Sequence, residues 1–281
     1  MGTIPHRIHF LEVVMAEDLW QEILLPSAGD QVWELFHENS KIGSYGNALS
    51  SEEVQARMNE FHESLPFDGY PVVNLPRTVP RLKLHLDEAI ASRTSVRELM
   101  PCSLSLESLT ALLRLAYGVT RDNKGTSFPR SFRVVPSGGA LYPLEIFLYS
   151  AHIEGLRAGL YHYNPTKNHL CLLREEDASR TISETVVQPN IVLGSCLVIF
   201  ITSVFERSVF KYGDRGYRFI FLEAGHVAQN INLVAYGIGL ASVNIGGFLD
   251  RRVDDFLGLD GLTHSTIYMI AIGEEAKTKV A

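Results

Sequence analysis

The sequence predicts a globular chain in which helices and strands mix around one long buried helix. Apolar side chains occur on every side of the helical run at residues 217–236, and a helix that is apolar all round is buried on most of its sides. Apolar strands are predicted before and after this helix. They are a hairpin at residues 159–173 with an Asn-Pro turn, a central strand at residues 190–205 and a last strand at residues 266–273.

Shorter helices are predicted from apolar spacing and from capping residues. They lie at residues 17–25, 31–38, 52–61, 86–90, 105–117, 181–187 and 250–257. Prolines at positions 66, 71, 76 and 80 mark an extended linker between the early helices and the rest of the chain. We therefore divide the chain into an N-terminal accessory helical segment with its linker, residues 1–85, and a main domain, residues 86–281.

Composition narrows the class of protein. A hydrophobic content of 46% and a mean hydropathy of +0.06 fit a well-filled core, and the net charge of −7 argues against a nucleic-acid binder or a polybasic membrane binder. The most apolar run, residues 191–205, is too short to cross a bilayer. Cys102, Cys171 and Cys196 form no CxxC pattern, which fits a reducing cytosol and gives no metal site. We expect a cytoplasmic protein that binds neither nucleic acid, nor membrane, nor metal.

A compact cluster of cations and hydroxyls, RTSVR, follows the helix at residues 86–90. Arg93 and Arg97 can grip a phosphate with paired N–H groups, and Thr94 and Ser95 add neutral donors. Basic clusters of this length are common on protein surfaces. An ordinary exposed cluster is therefore the alternative interpretation of this motif when it is taken alone.

A second candidate is the turn Ser137-Gly138-Gly139, just before the strand at residues 146–150. Its glycines and its hydroxyl place flexible backbone amides and a donor where a ligand can approach closely. It is not a Walker loop, because no GKS or GKT sequence follows. An ordinary tight turn is the alternative interpretation.

Reactive side chains directly precede the long helix, and a glycine turn closes the stretch that follows it. Lys211 and Tyr212 lie in the polar cluster KYGDR, and Gly246 and Gly247 end the stretch. The GIG sequence at residues 237–239 is no dinucleotide fingerprint, because it ends a helix and lacks the third glycine. For Lys211, a surface lysine at a helix start is the alternative, although the helix dipole disfavours a cation there.

Four motifs in this order resemble the SagB-type dehydrogenases, which are members of the FMN-dependent nitroreductase superfamily. The motifs are RTSVR, PSGGALYPLE, GLYHYNP and KYGDRGYR…LEAGHVAQN…GIGLASVNIGG, and the resemblance covers about residues 86–275. It implies an α+β fold with a mixed, mostly antiparallel sheet flanked by helices. It also implies an intertwined homodimer in which both subunits hold FMN at the interface, so that residues 86–281 form a nitroreductase-like FMN-binding domain.

The resemblance also implies which residues hold the cofactor. The element that binds the flavin phosphate and the ring edge matches Arg93, Thr94, Ser95 and Arg97. The turn beside the cofactor matches Ser137, Gly138 and Gly139, and the loop whose backbone amide approaches flavin N5 matches Gly246 and Gly247. The Lys-Tyr pair that these enzymes carry beside the flavin matches Lys211 and Tyr212.

Enzymes of this type oxidise thiazoline and oxazoline rings in ribosomally made precursor peptides, after a cyclodehydratase has formed the rings. Such an oxidation removes a proton from one ring carbon and a hydride from its neighbour. A lysine kept neutral by burial or by nearby Arg215 can act as the base. Lys211 is therefore the candidate base, and Tyr212 is a candidate to position the ring or relay the proton. The implied partners are a second copy of the chain, a precursor peptide and a cyclodehydratase in a synthetase complex.

Two other functions stay open at this point. The first is an NAD(P)H-dependent nitro or quinone reductase, or another FMN-dependent oxidoreductase that modifies peptides. Lys211 and Tyr212 favour ring oxidation over plain nitro reduction, because nitro reduction needs no substrate base. The second is a non-enzymatic scaffold with the same fold, which the intact RTSVR and PSGG motifs disfavour.

Overall fold

The computed structural model describes residues 32–42, 49–82, 84–123, 125–126 and 130–276. The helices are α1 (Val32–Asn39), α2 (Ser51–Glu60), α3 (Leu86–Ser92), α4 (Leu106–Tyr117), α5 (Ser179–Ser183), α6 (Pro189–Leu193), α7 (Glu206–Tyr212), α8 (Asp214–Gly237) and α9 (Asp250–Leu257). The strands are β1 (Val72–Asn74), β2 (Leu99–Met100), β3 (Val119–Asp122), β4 (Ser131–Arg133), β5 (Leu144–Ser150), β6 (Gly159–Asn164), β7 (His169–Glu175), β8 (Leu197–Val204), β9 (Ala241–Ile245) and β10 (His264–Glu275). The helix predicted at residues 17–25 lies outside the described residues.

An eight-stranded sheet forms the centre of the fold, in the order β1-β7-β6-β5-β8-β10-β2, with β9 paired to β10. The pairs between these strands are antiparallel, and two isolated bridges, such as Ser95 with Ser242, are parallel. Helices pack against this sheet, so the predicted α+β class with a mostly antiparallel sheet is confirmed. The predicted hairpin is the pair β6 and β7, and the predicted last strand is β10.

The long helix α8 runs from Asp214 to Gly237, slightly longer than predicted. Its inner face repeats at helical spacing and packs in the main core with α4. The buried residues of this face are Ile220, Ala224, Val227, Ala228 and Ile231. The expectation that α8 is buried on most sides is wrong for the single chain, because Phe221 is 43% and Leu222 61% exposed. An added Cβ at Gly225 would also meet nothing within 4 Å, so one face of α8 is open.

The strand predicted at residues 190–205 is two elements. Residues 189–193 form the short helix α6, and β8 begins only at Leu197. Pro189 stands at the start of α6, where its missing N–H costs nothing. Gly194 ends the helix at a point where an added Cβ would lie 2.1 Å from the carbonyl oxygen of Leu99. The apolar run therefore has the composition of a buried strand, although its first part forms a helix and a tight turn.

Two of the three cysteines meet in the core although they lie far apart in the sequence. The Sγ atoms of Cys102 and Cys196 are 2.8 Å apart, and both side chains are buried free thiols. Cys196 directly precedes β8 and is fully buried, as expected for a small core residue. Within the described parts of the chain, none of the helices combines the length and the apolar character needed to cross a bilayer.

A buried ionic cluster ties the linker and α7 to the sheet. Glu145 of β5 accepts hydrogen bonds from Arg207 Nη1 at 2.7 Å and from the backbone N–H of Leu65 at 2.9 Å, and His162 Nε2 lies 2.7 Å from its other oxygen. Burial alone would raise the pKa of Glu145, but the Arg207 cation and the His162 hydrogen bond lower it to about 2. Glu145 therefore stays ionised and fixes the start of the helix that carries Lys211.

Removing the Arg207 cation tests how much this cluster contributes to the stability of the fold. Arg207→Met leaves the Glu145 carboxylate buried without its ion-pair partner, so we expect the free energy of unfolding to fall by about 3–5 kcal/mol. Urea unfolding measures this change. The matched control is Arg157→Met, which breaks the fully exposed Arg157–Glu175 pair and should leave the unfolding midpoint nearly unchanged. An Arg207→Met protein as stable as this control would contradict the assignment.

The same cluster predicts an acid-labile fold. Because the folded-state pKa of Glu145 lies below its unfolded value of about 4.3, its stabilising contribution is present above that pH. It is lost as the pH falls towards 2.

Candidate active site

The predicted Ser137-Gly138-Gly139 turn is a strained 3-10 turn between β4 and β5. Three residues of this segment have left-handed backbone conformations: Gly139 at φ +64°, Ala140 at φ +54° and Tyr142 at φ +45°. Non-glycine residues adopt such values only when their surroundings hold them there. One restraint is the Ser137 hydroxyl, which accepts a hydrogen bond from the backbone N–H of Tyr142 at 3.0 Å.

The turn lies directly against the candidate catalytic pair. A Cβ atom added at Gly139 would lie 2.6 Å from the hydroxyl oxygen of Tyr212 and 2.9 Å from Lys211 Nζ. One added at Gly138 would lie 3.1 Å from the ring of Phe219 on α8. Glycine at Gly139 therefore suits both the left-handed backbone and the close approach of the Lys211 and Tyr212 side chains, whose ends would have to move to admit a Cβ atom. The structure thus brings the PSGG turn and the Lys-Tyr pair together, although more than seventy residues separate them in the sequence.

Lys211 and Tyr212 end the short helix α7 instead of starting the long one. Gly213, at φ +54°, separates α7 from α8 and turns the chain between them. The argument that the helix dipole disfavours Lys211 is therefore wrong. A cation in the last turn of a helix faces the negative end of the dipole and is favoured there. Both side chains are half-buried, and Lys211 Nζ lies 5.2 Å from the centre of the Tyr212 ring.

A buried carboxyl group behind the turn was not singled out from the sequence. Glu223, on the inner face of α8, is 3% exposed and accepts a hydrogen bond from the Tyr117 hydroxyl at 2.9 Å. Burial raises the pKa of Glu223 to about 7 against the opposing effects of the neighbouring Ser137 and Tyr117 hydroxyls and of Arg133. The available signal was a lone acidic residue inside an apolar helix, which requires partners.

The N-terminal helices cover this part of the chain. Val54 and Met58 of α2 form a small apolar cluster with Leu141, and Phe210 and Tyr212 pack against it. The chain directly after α1 is held by another contact, in which Arg218 Nε of α8 donates a hydrogen bond to the hydroxyl of Ser40 at 2.8 Å. Residues of the predicted accessory segment therefore help to bury Tyr212.

Residues of the RTSVR motif lie elsewhere, beside β9. Ser95 bridges Ser242, and the backbone N–H of Val96 donates to the Ser242 carbonyl oxygen at 3.1 Å. Arg93 and Thr94 line a pocket of about 300 Å³ here, together with residues from the end of α8 and the start of β9. Arg97 is exposed and is not among the residues that line the pocket.

The predicted glycine loop follows at the other end of β9. An added Cβ at Gly246 would meet nothing within 4 Å, so there is open space beside this backbone. The Gly247 carbonyl oxygen accepts a hydrogen bond from the Val187 N–H at 3.0 Å, which fixes the loop against the chain before α6. Gly247 is therefore held in place, whereas the backbone at Gly246 borders open space.

Helix α8 separates the two parts of the predicted site. The PSGG turn contacts α8 at Phe219, whereas the Ser242 hydroxyl donates to Asn232 Oδ1 at 3.0 Å near the other end. Thirteen residues of helix correspond to about 20 Å along its axis. A single chain therefore does not bring the RTSVR motif next to the PSGG turn.

The side chains at the two parts of the predicted site have the chemical groups that a flavin requires. Arg93 Nε is a buried donor with no hydrogen-bond partner among the described residues, at a pocket that also offers the Thr94 hydroxyl. A phosphate would satisfy such a donor. Arg215 Nε, on the helix turn next to Phe219, is likewise buried without a hydrogen-bond partner in the described parts of the chain. The same parts contain no cluster of His, Cys, Asp and Glu that could hold a metal ion.

The chain is similar to several known proteins. The curated relatives include a protein named as a nitroreductase in Methanocaldococcus jannaschii, 34% identical over 175 residues, or 62% of this chain and 85% of the relative. The microcin B17-processing protein McbC of Escherichia coli is 35% identical over 153 residues, covering 50% of this chain and 54% of McbC. The trifolitoxin-processing protein TfxB of Rhizobium leguminosarum is 28% identical over 231 residues, covering 78% of this chain. The alignment spans only 59% of TfxB, so both processing proteins are matched over little more than half their length.

Solved structures share the fold. A crystal structure described as a nitroreductase from Anabaena variabilis superposes with a TM-score of 0.70 at 24% identity, covering 90% of this chain and 49% of that one. A chain of the E. coli microcin synthetase McbBCD complex, with truncated pro-MccB17 bound, superposes with a TM-score of 0.55 at 22% identity over 95% of this chain and 94% of that one. Residues 90–274 match the Nitroreductase family, whose members generally bind flavin. The chain therefore belongs to the nitroreductase family.

Proposed function

We propose that the protein is an FMN-dependent dehydrogenase that oxidises thiazoline or oxazoline rings in a ribosomally made precursor peptide. The observation that carries this proposal is the contact of Lys211 and Tyr212 with the Gly138–Gly139 turn. A nitro or quinone reductase requires no protein base at this position, whereas ring oxidation does. The similarity to McbC and TfxB, both named as processing proteins of peptide products, supports the same conclusion.

Each residue group has a proposed role. Arg93, Thr94 and Ser95 hold the phosphate end of FMN, and Arg97 and the loop at Gly246 and Gly247 complete that side of the site. The Ser137–Gly139 turn lines the ring end. FMN itself supplies the two-electron chemistry when bound, and the protein supplies binding, orientation and electrostatics.

We assign proton removal to Lys211. Its amine takes the ring proton at Nζ in the proposed reaction, so it acts in its neutral form. Tyr212, whose hydroxyl points at the same turn as Lys211 Nζ, orients the ring or relays the proton. Both side chains are half-buried, and the packing of Tyr212 against α2 restricts water around the pair.

A homodimer would join the two parts of the site. The open face of α8 carries Phe221 and Leu222 beside Gly225, where a second backbone can approach closely. Two copies packed on this face would let the RTSVR motif of one chain lie beside the PSGG turn of the other. This arrangement accounts for the separation of about 20 Å along α8 within one chain.

The N-terminal residues 1–85 are proposed as an accessory segment that docks partners. The structural match to a chain of McbBCD, which was solved as a complex with a precursor peptide bound, supports a peptide substrate and a cyclodehydratase partner here. Strand β1, from this segment, pairs with β7 at the edge of the sheet. The segment therefore contributes a strand to the sheet as well as helices over the Lys-Tyr pair.

The Lys211 assignment is tested with a synthetic peptide that contains one internal thiazoline. With Lys211→Ala, we expect ring oxidation to fall by at least about 100-fold, because a positioned base contributes about that much, while flavin stays bound. Mass spectrometry detects the loss of two hydrogen atoms, and absorption measures the flavin. Lys167→Ala, at an exposed lysine in the β6–β7 turn, is the matched control. Full oxidation by Lys211→Ala would contradict the assignment, and rapid NAD(P)H-driven quinone reduction without ring oxidation would favour the reductase.

The dimer is tested by placing a charge on the open face of α8. Leu222→Glu should convert a dimer to a monomer and release flavin, without loss of secondary structure, because Leu222 is 61% exposed in the single chain. Light scattering after size exclusion gives the mass, and absorption gives the flavin content. Leu193→Glu, at a leucine that is 48% exposed at the end of α6, is the control and should remain dimeric. A wild-type monomer that retains flavin would contradict the proposal.

A further inference from the structure

Two buried thiols near the start of β8 have no role in the proposed reaction. Cys102 follows β2, and Cys196 directly precedes β8. Their Sγ atoms are 2.8 Å apart, and both residues are free cysteines. A disulfide bond is about 2.05 Å long, so the two sulfur atoms need to approach by less than about 1 Å to form one. The pair is therefore placed for a covalent bond.

The backbone holds both cysteines against the same short segment after β5. The Cys196 carbonyl oxygen accepts hydrogen bonds from the N–H groups of Ala151 and His152 at 3.1 and 3.3 Å. On the other side of this segment, the N–H of Leu104, two residues after Cys102, donates to the His152 carbonyl oxygen at 3.2 Å. The approach of the two thiols therefore follows from the pairing of the main chain.

The segments that lead into the two cysteines are also in direct contact. A Cβ atom added at Gly194 would lie 2.1 Å from the Leu99 carbonyl oxygen, and one added at Gly273 would lie 2.8 Å from the Met100 carbonyl oxygen. Leu99 and Met100 form β2, which pairs with the end of β10. Glycine thus allows β2 to lie close against the end of α6 and against β10.

The two thiols differ in their access to solvent. Cys102 is 8% exposed and is among the residues that line a pocket of about 490 Å³, with His152 and Glu154, whereas Cys196 is fully buried. The contact with Cys196 lowers the pKa of the Cys102 thiol, and the same contact together with burial raises the pKa of Cys196. Because the thiolate is the reactive form of cysteine, a small oxidant from the solvent meets Cys102 first.

We propose that Cys102 and Cys196 form a redox-active dithiol site, in which hydrogen peroxide oxidises Cys102 and an internal disulfide with Cys196 follows. The Cys102 thiolate attacks one peroxide oxygen, the O–O bond breaks and hydroxide leaves, so that Cys102 becomes a sulfenic acid. The Cys196 sulfur then attacks the sulfenic sulfur, and its proton passes to the departing hydroxide. In total, two thiols and one peroxide give one disulfide and two molecules of water.

Such a site would act on the fold and not on the ring chemistry. The disulfide would tie β2, which follows the RTSVR motif, to the start of β8. In a reducing compartment, disulfides are usually transient and serve catalysis or redox sensing. The inference rests on contacts within this chain and does not depend on the proposed function.

The test treats the full-length protein, first reduced and freed of reductant, with hydrogen peroxide. N-ethylmaleimide then blocks free thiols in denaturant, and mass spectrometry of a digest made without reductant identifies linked peptides. We expect one linked pair, Cys102 with Cys196. We also expect a rise in melting temperature of up to about 10 °C, because the bond joins residues 94 positions apart. Dithiothreitol should reverse both changes.

Three variants separate the roles of the cysteines. Cys196→Ala should stop the reaction at the sulfenic acid, which dimedone traps on Cys102. Cys102→Ala should leave Cys196 unmodified, because Cys196 is fully buried. Cys171→Ala is the matched control, at a buried free cysteine outside the pair, and should form the disulfide as wild type does.

The peptide map of the wild-type protein decides the question even if a variant fails to fold. Two free thiols after peroxide treatment would overturn the proposal, and so would oxidation of Cys102 to a sulfinic acid while Cys196 stays free. Linked peptides that contain Cys171 would overturn it as well. A protein that binds no flavin would contradict the proposed function but leave the peptide map unchanged, so the two proposals fail separately.

Discussion

Close packing of the Gly138–Gly139 turn against α7 and α8 is the constraint on which the candidate site depends. A Cβ atom at Gly139 would displace the Tyr212 hydroxyl and Lys211 Nζ, because both atoms lie within 3 Å of the position that it would take. The contact joins a turn before β5 to a helix after β8, and these strands are neighbours in the sheet. The sheet therefore sets the distance, the glycines allow the approach, and the side chains of α7 complete it.

Two buried carboxyl groups near this contact differ in their pKa. Glu145 lies beneath α7, and its pKa is lowered to about 2 by Arg207 and His162 against the cost of burial. Glu223 lies on the inner face of α8, where burial dominates and raises the pKa to about 7. A cation within hydrogen-bond distance makes the difference, since Glu145 has Arg207 at 2.7 Å and Glu223 accepts from the neutral Tyr117 hydroxyl. One group is thus a fixed anchor, and the other can change its charge near neutral pH.

The sequence predicted the hairpin, the long helix and the last strand, because each is a local pattern of apolar spacing. The α+β class followed from the resemblance of four motifs to a known family. It could not predict that residues 189–193 are helical, since a short apolar run has the same composition in a buried helix and in a strand. The helix-start argument for Lys211 failed because the left-handed Gly213 splits the run into two helices. Glu223 and the meeting of Cys102 with Cys196 depend on contacts between distant segments, which no local pattern contains.

The sequence predicted the residues of the candidate site but not how they lie relative to one another. The order of the motifs identified the residues. Only the structure shows that much of the length of α8 lies between the RTSVR motif and the PSGG turn. Apolar residues surround the axis of that helix although one side, with Phe221 and Leu222, is exposed in the single chain. In the proposed dimer a second copy would cover this side, and such a surface would have the same sequence pattern as a core.

The most direct test of the account is the absorption spectrum of the purified protein, with any released cofactor identified by mass. The proposed function predicts a flavin spectrum and about one FMN per chain, because it assigns Arg93, Thr94 and Ser95 to the phosphate end of FMN and the Ser137–Gly139 turn to the ring end. A protein that is colourless as purified and stays colourless after addition of FMN would contradict it. That result would leave the fold as a scaffold without redox chemistry.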